Sequence, residues 1–265
     1  MPEKALLEKW LRGPRLKVIR AKKHIDEFDI AAKAFLDRKP YQIAVEENVG
    51  EDRVDWPRTL VFHVREEIPE DFSTIIGDAV HNLRSALDLM LCALVRANGR
   101  SDKGVQFPVA RNADSLEEAI EKANVARGGD IALKFVRDHK PYRGDGGNWA
   151  ISAIHDLDIL DKHRLIIAVS GASDLERAIV GKRWNSLSLT MPGYRWTGLD
   201  DGAEMLKIRA EPGVEIGDEV HATFSIAFGH RQPAGGAPVV KALTDIADYI
   251  SALVNNFAVA DAPRP

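Results

Sequence analysis

One cysteine, Cys92, is all that the 265 residues contain. A lone thiol cannot cross-link a chain to itself, so a disulfide scaffold is excluded and a reducing, cytoplasmic setting is expected. No run of 18 apolar residues occurs, which excludes a spanning helix and, as an expectation, a membrane partner. The opening stretch MPEKALLEKWLRGPR is charged throughout. It lacks the apolar centre and small-residue cleavage site of a secretory signal. Neither sign of charge dominates: 36 basic and 40 acidic side chains leave a formal charge of −4. That balance argues against broad attraction to nucleic acid or a membrane surface. Also missing are a Gly-x-Ser-x-Gly elbow, a dinucleotide fingerprint, a kinase signature and zinc-type spacings of histidine or cysteine. No cofactor and no metal are therefore expected.

The composition, 45% hydrophobic and 29% charged, is that of a globular protein. A chain of this length buries roughly 70–75% of its unfolded surface and needs no staple. No repeat and no low-complexity linker interrupts it, and the expectation is a single compact domain over 1–265. Its tail, 260–265, is expected to fray, since the last four residues hold two prolines.

Pro2–Leu11 reads as a short helix broken at Gly13-Pro14. From Val18 through Ala21, Ile25, Phe28, Ala32 and Phe35, spacings of three and four predict a second helix, ended by Pro40. Alternation at Tyr41–Val45 and Leu60–Val64 predicts two strands, joined by an acidic loop with Trp56-Pro57. A long helix is predicted over about Phe72–Asn98, closed by Gly99. Asp114-Ser115 before Glu117 and Glu118 reads as a capping box. Ile131–His139 and Trp149–Arg164 read as helices. Strands follow at Leu165–Val169, Trp184–Met191, Met205–Ala210 and Val220–Phe228. Val239, Leu243, Ile246, Ile250, Leu253 and Phe257 define a last helix. Strands come in groups, so the expected class is α+β, long helices packed with a mainly antiparallel six-strand sheet from residues 41–66 and 165–229.

Two of these helices carry polar residues where apolar ones belong. On the long helix, Phe72, Ile76, Ala79, Leu83, Leu87, Met90 and Leu94 form one face. Asp78, His81, Ser85, Asp88, Cys92 and Val95 form the opposite stripe. His81, Arg84 and Asp88, at i, i+3 and i+7, share one side. On the helix at 149–164, Asp158 and Asp161 point the same way as Ile151 and Ile154. Carboxylates in an apolar stripe require cations or donors; Arg84 and His81 of the long helix are the candidates, and Arg84 is expected to pair with Asp158 or Asp161. His155, Lys162, His163 and Arg164 flank that stripe, and Asn82 lies beside Arg84.

The segment IGDAVHNLRSALDLM (Ile76–Met90), then Phe107-Pro108, Pro141-Tyr142 and LDKHR (Leu160–Arg164), resembles a group of uncharacterised bacterial proteins. These share a GD-x-x-HNLRSALDH helix, an F-P pair and a helix ending D-K-H-R. The resemblance covers roughly residues 70–165 and implies a fold and a candidate site rather than a reaction. The same helix is similar to that of HEPN domains, helical ribonucleases with an arginine followed by a histidine. Arg84 stands for that arginine, while Leu89 stands where the histidine tends to be. On that resemblance, His81, His155 or His163 would have to supply the base.

Three functions follow as expectations. The first is a cytoplasmic bacterial protein whose inter-helix polar pocket, built from His81, Asn82, Arg84, Asp88, His155, Asp158, Asp161, Lys162, His163 and Arg164, binds a small or anionic ligand. The second is a HEPN-like, RNA-directed hydrolase with Arg84 on phosphate and His81 or His163 as base. The third is a structural protein, able to form a homo-oligomer through an apolar stripe, whose polar residues only pin two helices. Asp145–Asn148 reads as a loop with a helix cap and Cys92 as inert core. The basic set Arg12, Arg15, Lys17, Arg20, Lys22 and Lys23 has no interleaved aromatics and reads as a solvated face.

Overall fold

The apolar stripes fold as helices and the alternating stretches as strands. The computed structural model describes residues 2–47, 58–164, 166, 168–181, 184–208 and 214–260. In chain order these form α1 (Pro2–Asp37), β1 (Tyr41–Glu47), β2 (Arg58–Val64), α2 (Asp71–Ala97), α3 (Leu116–Lys122), α4 (Gly129–His139), α5 (Trp149–His163), β3 (Ala168–Gly181), β4 (Trp184–Thr197), β5 (Ala203–Ile208), β6 (Val214–Phe228) and α6 (Val239–Ala260). The class is α+β. The expected loop at Trp56-Pro57 and the tail beyond 260 lie outside the described residues.

The chain divides into two compact units. The first comprises Met1–Phe28, Ser73–Ile166 and Val240–Pro265, and is helical. Its centre is α2, where Ile76, Val80, Leu83, Leu87, Met90, Leu91, Leu94 and Val95 are all buried. Leu11, Val18, Ala21 and Ile25 of α1, Ile151, Ile154 and Leu157 of α5, and Leu243, Ile246 and Ile250 of α6 complete the buried apolar set. The expected break at Gly13-Pro14 does not occur: α1 is continuous, with Pro14 inside it. An interior proline removes one helix hydrogen bond and crowds the carbonyl one turn back. Here Pro14 itself and its neighbours Leu11 and Val18 are buried, so packing holds that turn together. Basic residues of α1 are tied down: Lys22 Nζ pairs with Asp248 at 2.6 Å, Arg15 with Glu8 at 2.7 Å, and Lys17 Nζ donates to Asn82 Oδ1 at 3.1 Å.

The second unit comprises Asp29–Phe72 and Ile167–Val239 and holds the strands. The expected six-strand sheet is two antiparallel three-stranded sheets, ordered β1-β2-β5 and β4-β3-β6. The strands of the second are 14 or 15 residues long and those of the first six or seven. Periodicity shows that a strand exists, not which edge it joins. The sheets meet through aromatic rings: Tyr41 lies 5.2 Å from Phe62 and 5.7 Å from Phe224 between centroids. Phe35 packs edge-on against Tyr41 and Phe72 at 5.8 and 5.9 Å. Edge-to-face packing adds to what burial alone contributes.

The capping expectation also shifts. Asn112, not Asp114, accepts the Ser115 N–H, and the Ser115 hydroxyl accepts from the Asn112 N–H, opening a 3-10 turn at Ala113–Ser115 ahead of α3. A side chain two residues upstream therefore does the work assigned to the acidic pair.

A candidate polar site between two helices

The site is built by α2 and α5 inside the helical unit. Asn148 begins α5, its Oδ1 accepting the Ile151 N–H at 3.1 Å. Gly147 just before it is obligatory, because a Cβ there would overlap the Tyr142 carbonyl. From that start α5 brings Asp158 to His81 and Asp161 to Gly77 of α2, while the Ser152 hydroxyl donates to the Tyr142 carbonyl at 3.0 Å.

Asp158 is the anchor. Its side chain is 3% exposed, while its two partners, His81 and Lys162, are 53% and 55% exposed. His81 Nδ1 lies 3.1 Å from Asp158 Oδ1, and Lys162 Nζ lies 2.5 Å from Oδ2. A carboxylate only accepts, so Nδ1 carries a proton and Nε2 of the neutral ring is the acceptor. Nε2 faces the Ser85 hydroxyl at 3.4 Å. A buried carboxylate thus orients an exposed imidazole.

The expected pairing of Arg84 with Asp158 or Asp161 is not formed. Arg84 is 6% exposed, and its Nη2 donates to Asp88 Oδ1 at 2.8 Å and to the Phe107 carbonyl at 2.7 Å. Asp88 Oδ1 also accepts the Phe107 N–H at 2.7 Å. The reason is local: Asp88 lies one turn further along the same helix, and the Phe107 main chain completes the fork. Burial raises the Asp88 pKa, outweighing the favourable Arg84 charge.

Among the described residues, two buried side-chain nitrogens have no partner: Arg84 Nη1 and His155 Nδ1. Burial, and then the charge of Arg84, lower the His155 pKa to about 4, so the ring is neutral at physiological pH. A buried N–H without an acceptor is costly, and such gaps mark places where a water or ligand completes the network.

Asp161 lies against Gly77. A Cβ added at Gly77 would overlap the Asp161 carboxylate. Among the described residues no donor reaches that carboxylate, and burial, then Asp158 and Asp78, raise its pKa. His163 and Arg164 end α5, both exposed. Asn82 turns away from the site, its amide donating to the Asp78 carbonyl at 2.8 Å and its oxygen accepting from Lys17. Cys92 is buried, and burial raises its pKa.

Of the ten candidates, the structure gathers His81, Arg84, Asp88, His155, Asp158, Asp161 and Lys162 along the seam. Gly77 and Ser85 join them. Gly77 stood in the GD-x-x-HNLR motif without being singled out, and its signal was a glycine inside a helix, which asks for a packing reason. Among the described residues, no group of three or more His, Cys, Asp or Glu is placed to hold a metal ion, and no helix is long and apolar enough to cross a membrane. Comparison with family models, curated proteins and solved structures gave no match to this chain.

Proposed function

We propose that the α2–α5 seam is a binding site for a small anionic ligand, with Arg84 as the buried donor and His81 and Lys162 as the exposed contacts. The unsatisfied Arg84 Nη1 carries this reading. A saturated network has nothing to offer a ligand, whereas a guanidinium with one N–H unused, in a low-dielectric setting, favours an oxyanion acceptor. Because Nη1 is sealed from solvent, the side chains around it must part for the ligand to enter. His155, neutral and unpartnered beside it, provides a second hydrogen bond. A thermal-shift titration with inorganic phosphate, small carboxylates and nucleotides tests the reading. The expected result is a concentration-dependent rise in Tm that Arg84→Lys abolishes. No rise with any of them leaves the polar residues as pins between two helices.

A second reading, an RNA-directed hydrolase of HEPN type, is favoured by the Asp158–His81 pair alone. A carboxylate behind an imidazole fixes its tautomer and presents Nε2 as a general base. In this reading Lys162 takes the phosphate, since Arg84 is buried and engaged. Cleavage of single-stranded RNA that survives in His81→Ala would sink it.

A further inference from the structure

α4 and α6 frame a cavity of about 600 Å³ that shares no residue with the α2–α5 seam. This is the size of a small-molecule site. Ile131, Phe135, Ala252 and Leu253 give it apolar walls, and Tyr249 and His139 supply polar atoms.

The free valences of those two residues define a chemistry. Asn148 Nδ2 donates to the Tyr249 oxygen at 2.5 Å, and Asn148 is itself fixed by capping α5. Burial raises the Tyr249 pKa, so the hydroxyl keeps its proton. With its oxygen already accepting, the O–H remains to donate. His139 Nδ1 lies 2.8 Å from the Phe135 carbonyl. A carbonyl only accepts, so Nδ1 bears the proton and Nε2 is the acceptor of that tautomer. The His139 ring packs on Phe135 with centroids 4.3 Å apart, making a flat wall. Charge at the rim disfavours anions: Asp130 and Asp138 stand there with a single cation, Lys134, which Asp138 already pairs at 2.5 Å.

We propose that this cavity binds a planar, uncharged aromatic amide, its carbonyl accepting from Tyr249 O–H, its N–H donating to His139 Nε2, and its ring lying between Phe135 and Leu253.

The probe is benzamide, titrated into the full chain by calorimetry or ligand-observed NMR. Three analogues separate the contributions: N,N-dimethylbenzamide lacks the donor, benzoate replaces it with charge, and aniline lacks the acceptor. Saturable benzamide binding is expected. Each analogue should bind about tenfold more weakly, as should Tyr249→Phe and His139→Leu, the loss of one hydrogen bond to a ligand. Ala252→Trp adds an indole to the cavity wall and should abolish binding in a protein of unchanged circular dichroism. Binding that survives Ala252→Trp, benzoate binding more tightly than benzamide, or no benzamide binding at all overturns the proposal. So does a concentration-dependent dimer, seen by sedimentation, that Ala252→Trp dissolves, for then a second copy of the chain fills this face. None of these readouts depends on Arg84, so the seam and the cavity succeed or fail separately.

Discussion

The Asp161 carboxylate occupies the space that a side chain at Gly77 would fill. Glycine costs a helix about 1 kcal/mol relative to alanine, and at 77 that cost is the condition for closing α5 onto α2. Gly77→Ala alone is therefore expected to give no net stabilisation, because displacing Asp161 cancels the helix gain. In an Asp161→Ala background the clash is gone, and the same substitution should stabilise by about 1 kcal/mol. Urea unfolding of the four proteins measures the coupling. Equal effects of Gly77→Ala in both backgrounds would show that the two residues do not touch.

Arg84 and Asp88 should respond unequally to truncation. Arg84→Met leaves Asp88 with a side chain 34% exposed and the Phe107 N–H still bound, so water replaces much of what is lost. Asp88→Ala strands a guanidinium whose side chain is 7% exposed. Removing one partner of a buried pair typically costs about 3–5 kcal/mol, and a loss in that range is expected for Asp88→Ala. For Arg84→Met the expected cost is about 2 kcal/mol, mostly that of the unpaired Phe107 carbonyl. The order of the two midpoints in urea decides, and the reverse order would mean that Arg84 is hydrated in solution.

Much of this arrangement is legible in the sequence. The 3-and-4 stripes of α1, α2 and α6 give the helices, and the polar stripe of α2 facing Asp158 and Asp161 gives the seam. What periodicity cannot supply is the partner. The stripes match Arg84 to Asp158 or Asp161 across the helices, yet Asp88 one turn away and a main-chain carbonyl satisfy it first. Pro14 reads as a break because local propensity has no knowledge of the buried Leu11 and Val18 around it. The strands are individually visible but divide into two sheets, since edge choice depends on contacts between distant segments. The α4–α6 cavity left no trace: Tyr249 and His139 look ordinary one at a time, and only the folded chain shows which hydrogen-bond valences remain open.

Acid should weaken the fold through His155. Its folded pKa, about 4, lies below the roughly 6.5 of an unfolded histidine. Between these values the unfolded chain binds more protons, so the contribution is complete above about pH 6.5 and is lost as pH falls toward 4. The full shift corresponds to about 3 kcal/mol, and solvent screening of a partly exposed ring reduces this to about 1–2 kcal/mol. Asp88 and Asp161 act in the opposite sense. Their raised pKa values favour the folded state when protonated, a gain present below the unfolded carboxyl value and lost as pH rises through the folded one. Urea midpoints measured from pH 7.5 to 4.5 should fall in the wild type and fall less in His155→Gln. Parallel curves would assign the acid sensitivity to another group.

The Asp158 cluster makes the sharpest stability prediction, because its buried member is the acceptor and its exposed members are the donors. Asp158→Ala releases His81 and Lys162 into water, where both are readily solvated, and should cost about 1–2 kcal/mol for the lost hydrogen bonds. Removing the donors instead leaves a carboxylate 3% exposed without a counter-charge. The double variant His81→Ala, Lys162→Ala is therefore expected to lose more, about 3–5 kcal/mol. Each single truncation falls between, since one partner still holds one oxygen. Adding Asp158→Asn to the double variant should recover part of the loss, as a neutral amide has no charge left to strand. Chemical denaturation of the series gives the order directly. If Asp158→Ala proves the most damaging member, the carboxylate holds the two helices through packing, and the account of His81 and Lys162 as its exposed donors fails.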